Sequence, residues 1–246
     1  MSTPYSPGYY ESLKEDSALS AKEVVPIIVR LLQPKSVVDV GCGSGTWARE
    51  YLDQGIEVLG LDGDEVGSCQ LLIPEDRFRR QDLAKPFQLD RQFDVVNCLE
   101  VAEHLHLDRA QGFVNDICKI SDLIVFSAAV PGQGGTHHVN EQWPSYWIQK
   151  FEANGFRPLD CVRHQIWANN RVAWWYIQNL FIYIRNTRMG DFPDVQSETR
   201  SMPTDLVHPR AYVRATVPSE MSPRMLKEVA RAIPYFPAKI LKHLGR

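Results

Sequence analysis

The run VVDVGCGSGTW, Val37 to Trp47, limits the fold more than any other stretch of the chain. An apolar segment carrying one aspartate leads into three glycines at alternate positions, Gly41, Gly43 and Gly45, and then into a helix start at Thr46. Glycine reaches backbone conformations closed to other residues and lets a ligand approach the main chain without Cβ interference. A strand that bends so sharply into a helix leaves free N–H groups at the helix start, where electron-rich ligand atoms are attracted.

The segments that follow repeat the strand–helix alternation. EVLGLD (57–62), RFRRQDL around Phe78, FDVVNCLE (93–100) and DLIVFSAAV (122–130) are apolar enough to be strands, with helical patterns at 46–54 and 109–120. Strands that are apolar on both faces and alternate with helices imply a parallel sheet covered on both sides. Upstream, Ser20 and Glu23 have capping-box spacing ahead of Val24, Val25, Ile28, Val29, Leu31 and Leu32, which places a helix start at Ser20. Downstream, PGQGGTHHVNEQWPSYW reads as a loop entering a helix that ends near Gly155, and FRPLDCVRHQIW and WWYIQNLFIYIRN read as a closing pair of strands. Three regions result: an N-terminal lid or tail over 1–19, a core domain over 20–186, and a C-terminal extension over 187–246. The extension ends in an amphipathic helix with Met225, Leu226, Val229, Ala230 and Ile233 on its buried face.

Composition narrows the class. The 246 residues are 44% hydrophobic, ample for one core, and a formal net charge of -3 argues against a general nucleic-acid binder. Five scattered cysteines without a C-x-x-C pair predict reduced thiols in a cytoplasmic protein rather than a disulfide framework or a zinc site. Neither a signal peptide nor an integral membrane segment is expected. A homodimer stays open.

Two ligand classes use the glycine geometry: dinucleotides and S-adenosylmethionine (SAM). The dinucleotide fingerprint is G-x-G-x-x-G, but here Thr46 stands where its third glycine would be. Asp62 closes the next strand, where a carboxylate can accept both ribose hydroxyls or simply serve a turn with Gly63. His137 and His138 follow the fifth strand at the ligand-facing end, so either can act as a general base or hold loop backbone; His138 is preferred because it adjoins Asn140 and its neighbours. His104, after the fourth strand, suits contact with cofactor or substrate. Asn140, Trp143 and Tyr146 are candidate acceptor contacts, and Trp147 suits either that platform or the core. Tyr9 and Tyr10 are candidates for a lid. The clusters Asp62, Asp64, Glu65 and Glu100, Glu103, His104 match neither zinc nor EF-hand spacing, so no metal is expected.

In combination, VVDVGCGSGTW, LGLDGD, RRQDLAKPF and FDVVNCLEVAEHL resemble the ordered motifs of class I SAM-dependent methyltransferases from Ser36 to Val130. The resemblance implies an α/β fold: a Rossmann-like, seven-stranded, mostly parallel sheet with helices on both faces and a last hairpin that is antiparallel. WYIQNLFIYI would supply the antiparallel strand. It also implies roles: Asp39 supports the glycine turn and the methionyl amino group, and Gly41, Cys42 and Gly43 contact the amino-acid part of SAM. Asp62 and Gly63 hold the ribose, Asp82 and Leu83 the adenine, and Leu99 and Glu100 line the floor. The block SAAVPGQGGTHHVNEQWPSYW is similar to one in a bacterial branch linked to glycan or secondary-metabolite biosynthesis. The expectation is a methyltransferase that O-methylates a sugar or other small hydroxylated metabolite with a histidine base. The alternatives are N- or C-methylation, a NAD-dependent oxidoreductase, and a non-catalytic SAM-fold binding protein.

Overall fold

In the computed structural model, residues 7–64, 66 and 71–216 are described, with side chains from residue 15 onward. A seven-stranded sheet has the order β3-β2-β1-β4-β5-β7-β6. Its strands are β1 (Ser36–Val40), β2 (Glu57–Asp62), β3 (Phe78–Arg80), β4 (Val95–Leu99), β5 (Leu123–Ser127), β6 (Phe156–Leu159) and β7 (Phe181–Arg185). β7 runs antiparallel to both β5 and β6, and the remaining pairs are parallel. The strand order reverses beside β1, so the carboxyl ends of β1 and β4 flank the crevice where open α/β sheets bind ligands.

Period-two alternation assigns each strand residue to one of two apolar layers. Val37, Val95, Leu123, Val125, Ile182 and Ile184 face a layer built with α1 (Pro7–Leu32), α2 (Thr46–Asp53), α5 (Arg163–Ile166), α6 (Trp174–Asn179) and α7 (Pro193–Glu198). Val38, Val96, Ile124, Phe126 and Tyr183 face the opposite layer, which holds α3 (Ala110–Ile120) and α4 (Pro144–Glu152). Among the described residues no helix is long and apolar enough to cross a membrane. The described cysteines Cys42, Cys98, Cys118 and Cys161 are free and buried.

Three expectations change. Ser20 does not start a helix: α1 runs unbroken from Pro7, with Pro26 inside it. The Ser20 hydroxyl instead donates to the Asp16 carbonyl (2.6 Å) and accepts from Ala173 N (2.9 Å), tying α1 to the approach of α6. Trp174–Asn179 is a helix, not a strand. The aromatic run has strand propensity, but β7 has partners only from Leu123↔Ile184 to Phe126↔Phe181, so residues before Phe181 lack a ladder to join. The chain also divides after Leu206, into units 1–206 and 207–246. Residues 187–206, assigned by pattern to an extension, thus belong with the sheet, and Val195 of α7 is wholly buried in its core. In the second unit α8 spans Pro209–Thr216; the amphipathic helix expected near Met225–Ile233 lies outside the described residues. Tyr9 and Tyr10 fall on the backbone of α1, and their side chains lie outside the described residues.

One buried ion pair anchors this last part of the first unit. Arg163 is wholly buried; its guanidinium binds both Asp160 oxygens (3.0 and 2.6 Å) and donates to the carbonyls of Gln178, Pro203 and Thr204. Removing the cation strands a carboxylate away from water, which typically costs about 3–5 kcal/mol. Arg163→Met should therefore lower the urea midpoint strongly, and Arg163→Met/Asp160→Asn should recover part of the loss in the same titration.

Candidate functional site

At the carboxyl end of β1 the chain turns through Gly41, Gly43 and Gly45, all at positive φ (76°, 54° and 89°). Gly41 is required twice over, since a Cβ there would also sit 2.3 Å from Val101 Cγ2. A Cβ on Gly43 would meet nothing within 4 Å. Gly60, in the middle of β2, was not singled out by pattern, yet a Cβ there would lie 2.8 Å from Cys42 Sγ, so it is what lets the turn pack on β2.

Asp39 holds the turn from beneath. Gly45 offers α2 no side-chain cap, and Asp39 Oδ2 instead accepts from Ala48 N (3.2 Å) while Oδ1 accepts from Asn97 Nδ2 (2.7 Å). Asn97 sits beside Asp39 in the β1–β4 register. The one polar amide inside the apolar run VVNCL is the available signal for it. Asp62 ties the turn to β2: its Oδ2 accepts from Gly43 N (2.6 Å) and its Oδ1 from Gly63 N (2.7 Å).

These residues border a cavity of roughly 720 Å³, within the usual range for small-molecule sites. Gly41, Gly43, Asp62, Gly63, Asp82 and Leu83 line one part, and Glu100, Val101, His104, Leu105 and His137 another. Of the expected cofactor residues, Asp39, Cys42 and Leu99 are buried behind the lining rather than in it. Of the expected acceptor contacts only His104 lines the cavity. The Asn140 side chain is buried and accepts from Gln142, Tyr146 packs against Trp147 and Lys150, and Trp147 is core. Trp143 is partly exposed at the start of α4.

Among the described residues three non-glycine positions have positive φ, and two of them, Glu100 (56°) and His137 (60°), line the cavity. Such backbone costs roughly 1–3 kcal/mol and concentrates at functional sites. Glu100 is held there by Gln133 Nε2 on Oε2 (2.7 Å) and Asn179 Nδ2 on Oε1 (3.2 Å), two partners unmarked by local pattern. Burial first, against these hydrogen bonds, pushes its carboxyl above the ordinary glutamate range.

His138 lies behind His104, their rings edge to face at 4.9 Å. Its Nδ1 is 2.9 Å from Glu141 Oε1, and the Glu141 carboxylate also accepts from Gly132 N and Gly134 N (2.8 Å each). A carboxylate can only accept, so Nδ1 carries the proton, and in the neutral imidazole Nε2 presents a lone pair. Glu103, whose side chain pattern had grouped with Glu100, is wholly buried, and neither of its carboxylate oxygens has a hydrogen-bond partner. Space groups it differently: donor atoms of Glu103, His104 and His138 lie within 4.8 Å of one another.

The comparisons with known proteins agree with this geometry. A family model described as a methyltransferase domain matches residues 17–157. A ubiquinone biosynthesis O-methyltransferase from Pseudomonas entomophila is 37% identical over 81 residues, covering 30% of this chain and 35% of that protein. The chain thus spans about a third of the length of the curated relatives it matches. Among solved structures, a SAM-bound amino pentose methyltransferase of calicheamicin biosynthesis from Micromonospora echinaspora superposes with a TM-score of 0.54 at 15% identity, covering 75% of this chain and 99% of that one. A sugar N-methyltransferase from Streptoalloteichus gives 0.55 at 15% identity, over 75% and 97%.

The buried Asp39 makes a pH prediction. Burial raises its carboxyl from 3.8 to about 7, against the hydrogen bonds from Asn97 and Ala48. The unfolded chain releases this proton near pH 4 and the folded chain near pH 7, so between those values the folded state holds the extra proton. Stability from this group is therefore lost as pH rises through that window, at up to about 1.4 kcal/mol per pH unit. Asp39→Asn cannot ionise; the difference between its urea stability and that of wild type should grow in its favour from pH 4 to pH 7. Parallel profiles would refute the assignment.

Proposed function

The chain belongs to the methyltransferase-domain family, and on that premise we propose that it is a SAM-dependent methyltransferase that methylates a hydroxyl oxygen of a sugar or other small hydroxylated metabolite. The observation that carries this reading is one cavity bordered on one side by the glycine turn and Asp62 and on the other by His104 and His137.

The residues present suit the cofactor. Open space over Gly43 admits its amino-acid end, the Asp62 carboxylate has capacity for ribose hydroxyls, and Asp82 with the apolar Leu83 offers a polar edge and a face for adenine. When bound, SAM supplies an electrophilic methyl on a sulfonium that leaves as a neutral thioether. The chain's own residues then have to align the acceptor, exclude water and take the hydroxyl proton. We assign that proton to the imidazole of His137, which lines the cavity, and give His138 a holding role behind His104, reversing the preference drawn from sequence position. The strained backbone at His137 supports this choice, as does the fixed loop around Glu141. The partial relationship to an O-methyltransferase and the sugar-methyltransferase folds accord with a small hydroxylated acceptor.

Two outcomes are expected. Asp62→Ala removes the acceptor for two loop N–H groups as well as for ribose, so calorimetry should show SAM affinity reduced by about tenfold or more, with no NAD binding to either protein. Once an acceptor is found by screening hydroxylated metabolites for transfer of labelled methyl, His137→Ala should lower kcat by about 10²–10⁴-fold and leave SAM affinity near that of wild type. Near-wild-type kcat in both His137→Ala and His138→Ala would exclude a histidine base and turn the reading towards an amine acceptor.

A further inference from the structure

We infer that Glu103, His104 and His138 form a binding site for a divalent cation of borderline softness, such as Zn²⁺, at the edge of the cavity. The three side chains come from two segments, the 101–105 stretch after β4 and the loop after β5. The loop is laid on that stretch by Val139 N and Asn140 N, which both donate to the Glu103 carbonyl (2.9 and 3.0 Å). The donor atoms of the three side chains converge to within 4.8 Å of one another.

Further observations point to a cation. The Glu103 carboxyl is wholly buried, neither oxygen has a partner in hydrogen-bond geometry, and the Glu100 carboxyl stands close by, an arrangement that is costly unless a proton or a cation arrives. His138 is already set up as a ligand: Glu141 fixes its Nδ1–H, so Nε2 is free to bind, and a carboxylate behind a histidine is the usual outer support of metal sites. Gly135 lets the loop backbone pack closely on this ring, since a Cβ there would lie 2.2 Å from His138 Nε2. The donor set itself, two imidazoles and one carboxylate, suits Zn²⁺ and its neighbours rather than magnesium or calcium, which prefer all-oxygen shells.

Three protein ligands leave a coordination position open, and His104 borders the cavity. An acceptor hydroxyl entering there would meet the cation on one side and His137 on the other. The role of the site rests on the methyl-transfer reading above, whereas its existence does not.

The test uses the full chain, stripped with a chelator and titrated with Zn²⁺ by calorimetry, with Co²⁺ as a spectroscopic substitute. Expected are one Zn²⁺ per chain at micromolar affinity or tighter, and visible Co²⁺ bands that appear on binding and vanish on adding Zn²⁺. Glu103→Gln, His138→Ala and Gly135→Ala should each weaken Zn²⁺ binding by at least tenfold. His104→Ala, which removes an exposed ring, provides the same readout if the buried variants fail to fold. Absence of stoichiometric Zn²⁺ and Co²⁺ binding, or binding unchanged in His104→Ala and in every folded variant, overturns the site. Binding of S-adenosylhomocysteine is measured on the same preparations. If it is lost in wild type, the cofactor assignment of the cavity fails; if it persists while Zn²⁺ does not bind, only the cation site fails.

Discussion

The Asp39 carboxylate accepts from Asn97 across the β1–β4 register and from Ala48 at the start of α2, so one buried side chain closes three elements around the glycine turn. Everything at the cavity hangs from that closure. Gly45 leaves the first turn of α2 uncapped, and Asp39 supplies the missing acceptor from the neighbouring strand. With α2 held, Gly41 and Cys42 both donate to the Leu61 carbonyl at the end of β2, and Asp62 can reach Gly43 N. The carboxyl ends of β1 and β2 are thereby locked at one depth, which gives the cavity a rigid side.

The opposite side is built by different means. Its backbone is irregular, held by side chains that each gather several polar partners. Glu141 gathers Gly132, Gly134 and His138, and Gln133 and Asn179 meet on Glu100. Asn179 Nδ2 also donates to Gln133 Oε1 (2.9 Å), which explains why α6 ends where it does, with its last residue turned to the site. Two buried carboxyl groups, Glu100 and Glu103, are raised above their ordinary range chiefly by burial. This polar, strained wall contrasts with the regular turn facing it: one side suits holding a cofactor, the other suits chemistry on an acceptor.

The layering explains why the site can be strained while the domain stays whole. Strands β1, β4, β5 and β7 bury apolar side chains on both faces, and Phe113, Trp147, Phe151 and Tyr183 fill one layer while Tyr51, Ile28 and Ile177 fill the other. Hydrophobic burial on this scale supplies the stability that a few positive-φ residues and buried carboxylates spend.

From the sequence by itself came the doubly covered parallel sheet, the strand–glycine–helix turn and Asp62 at the end of the next strand, because each is encoded in short-range spacing. Continuous apolar runs can bury both faces only in such a sheet, and three alternate glycines at a strand end permit few other geometries. Tertiary structure alone decided the rest. The true start of α1, the helix at Trp174–Asn179 and the grouping of His138 with Glu103 and His104 depend on which distant segments lie alongside. Spacing grouped Glu103 with Glu100 and His104; Gln133 and Asn179 hold the Glu100 carboxylate, and the Gly-rich loop adds His138 beside Glu103 and His104. Local propensity fixes where a chain can turn, whereas the partners of a buried polar group are chosen by the whole fold that removes it from water.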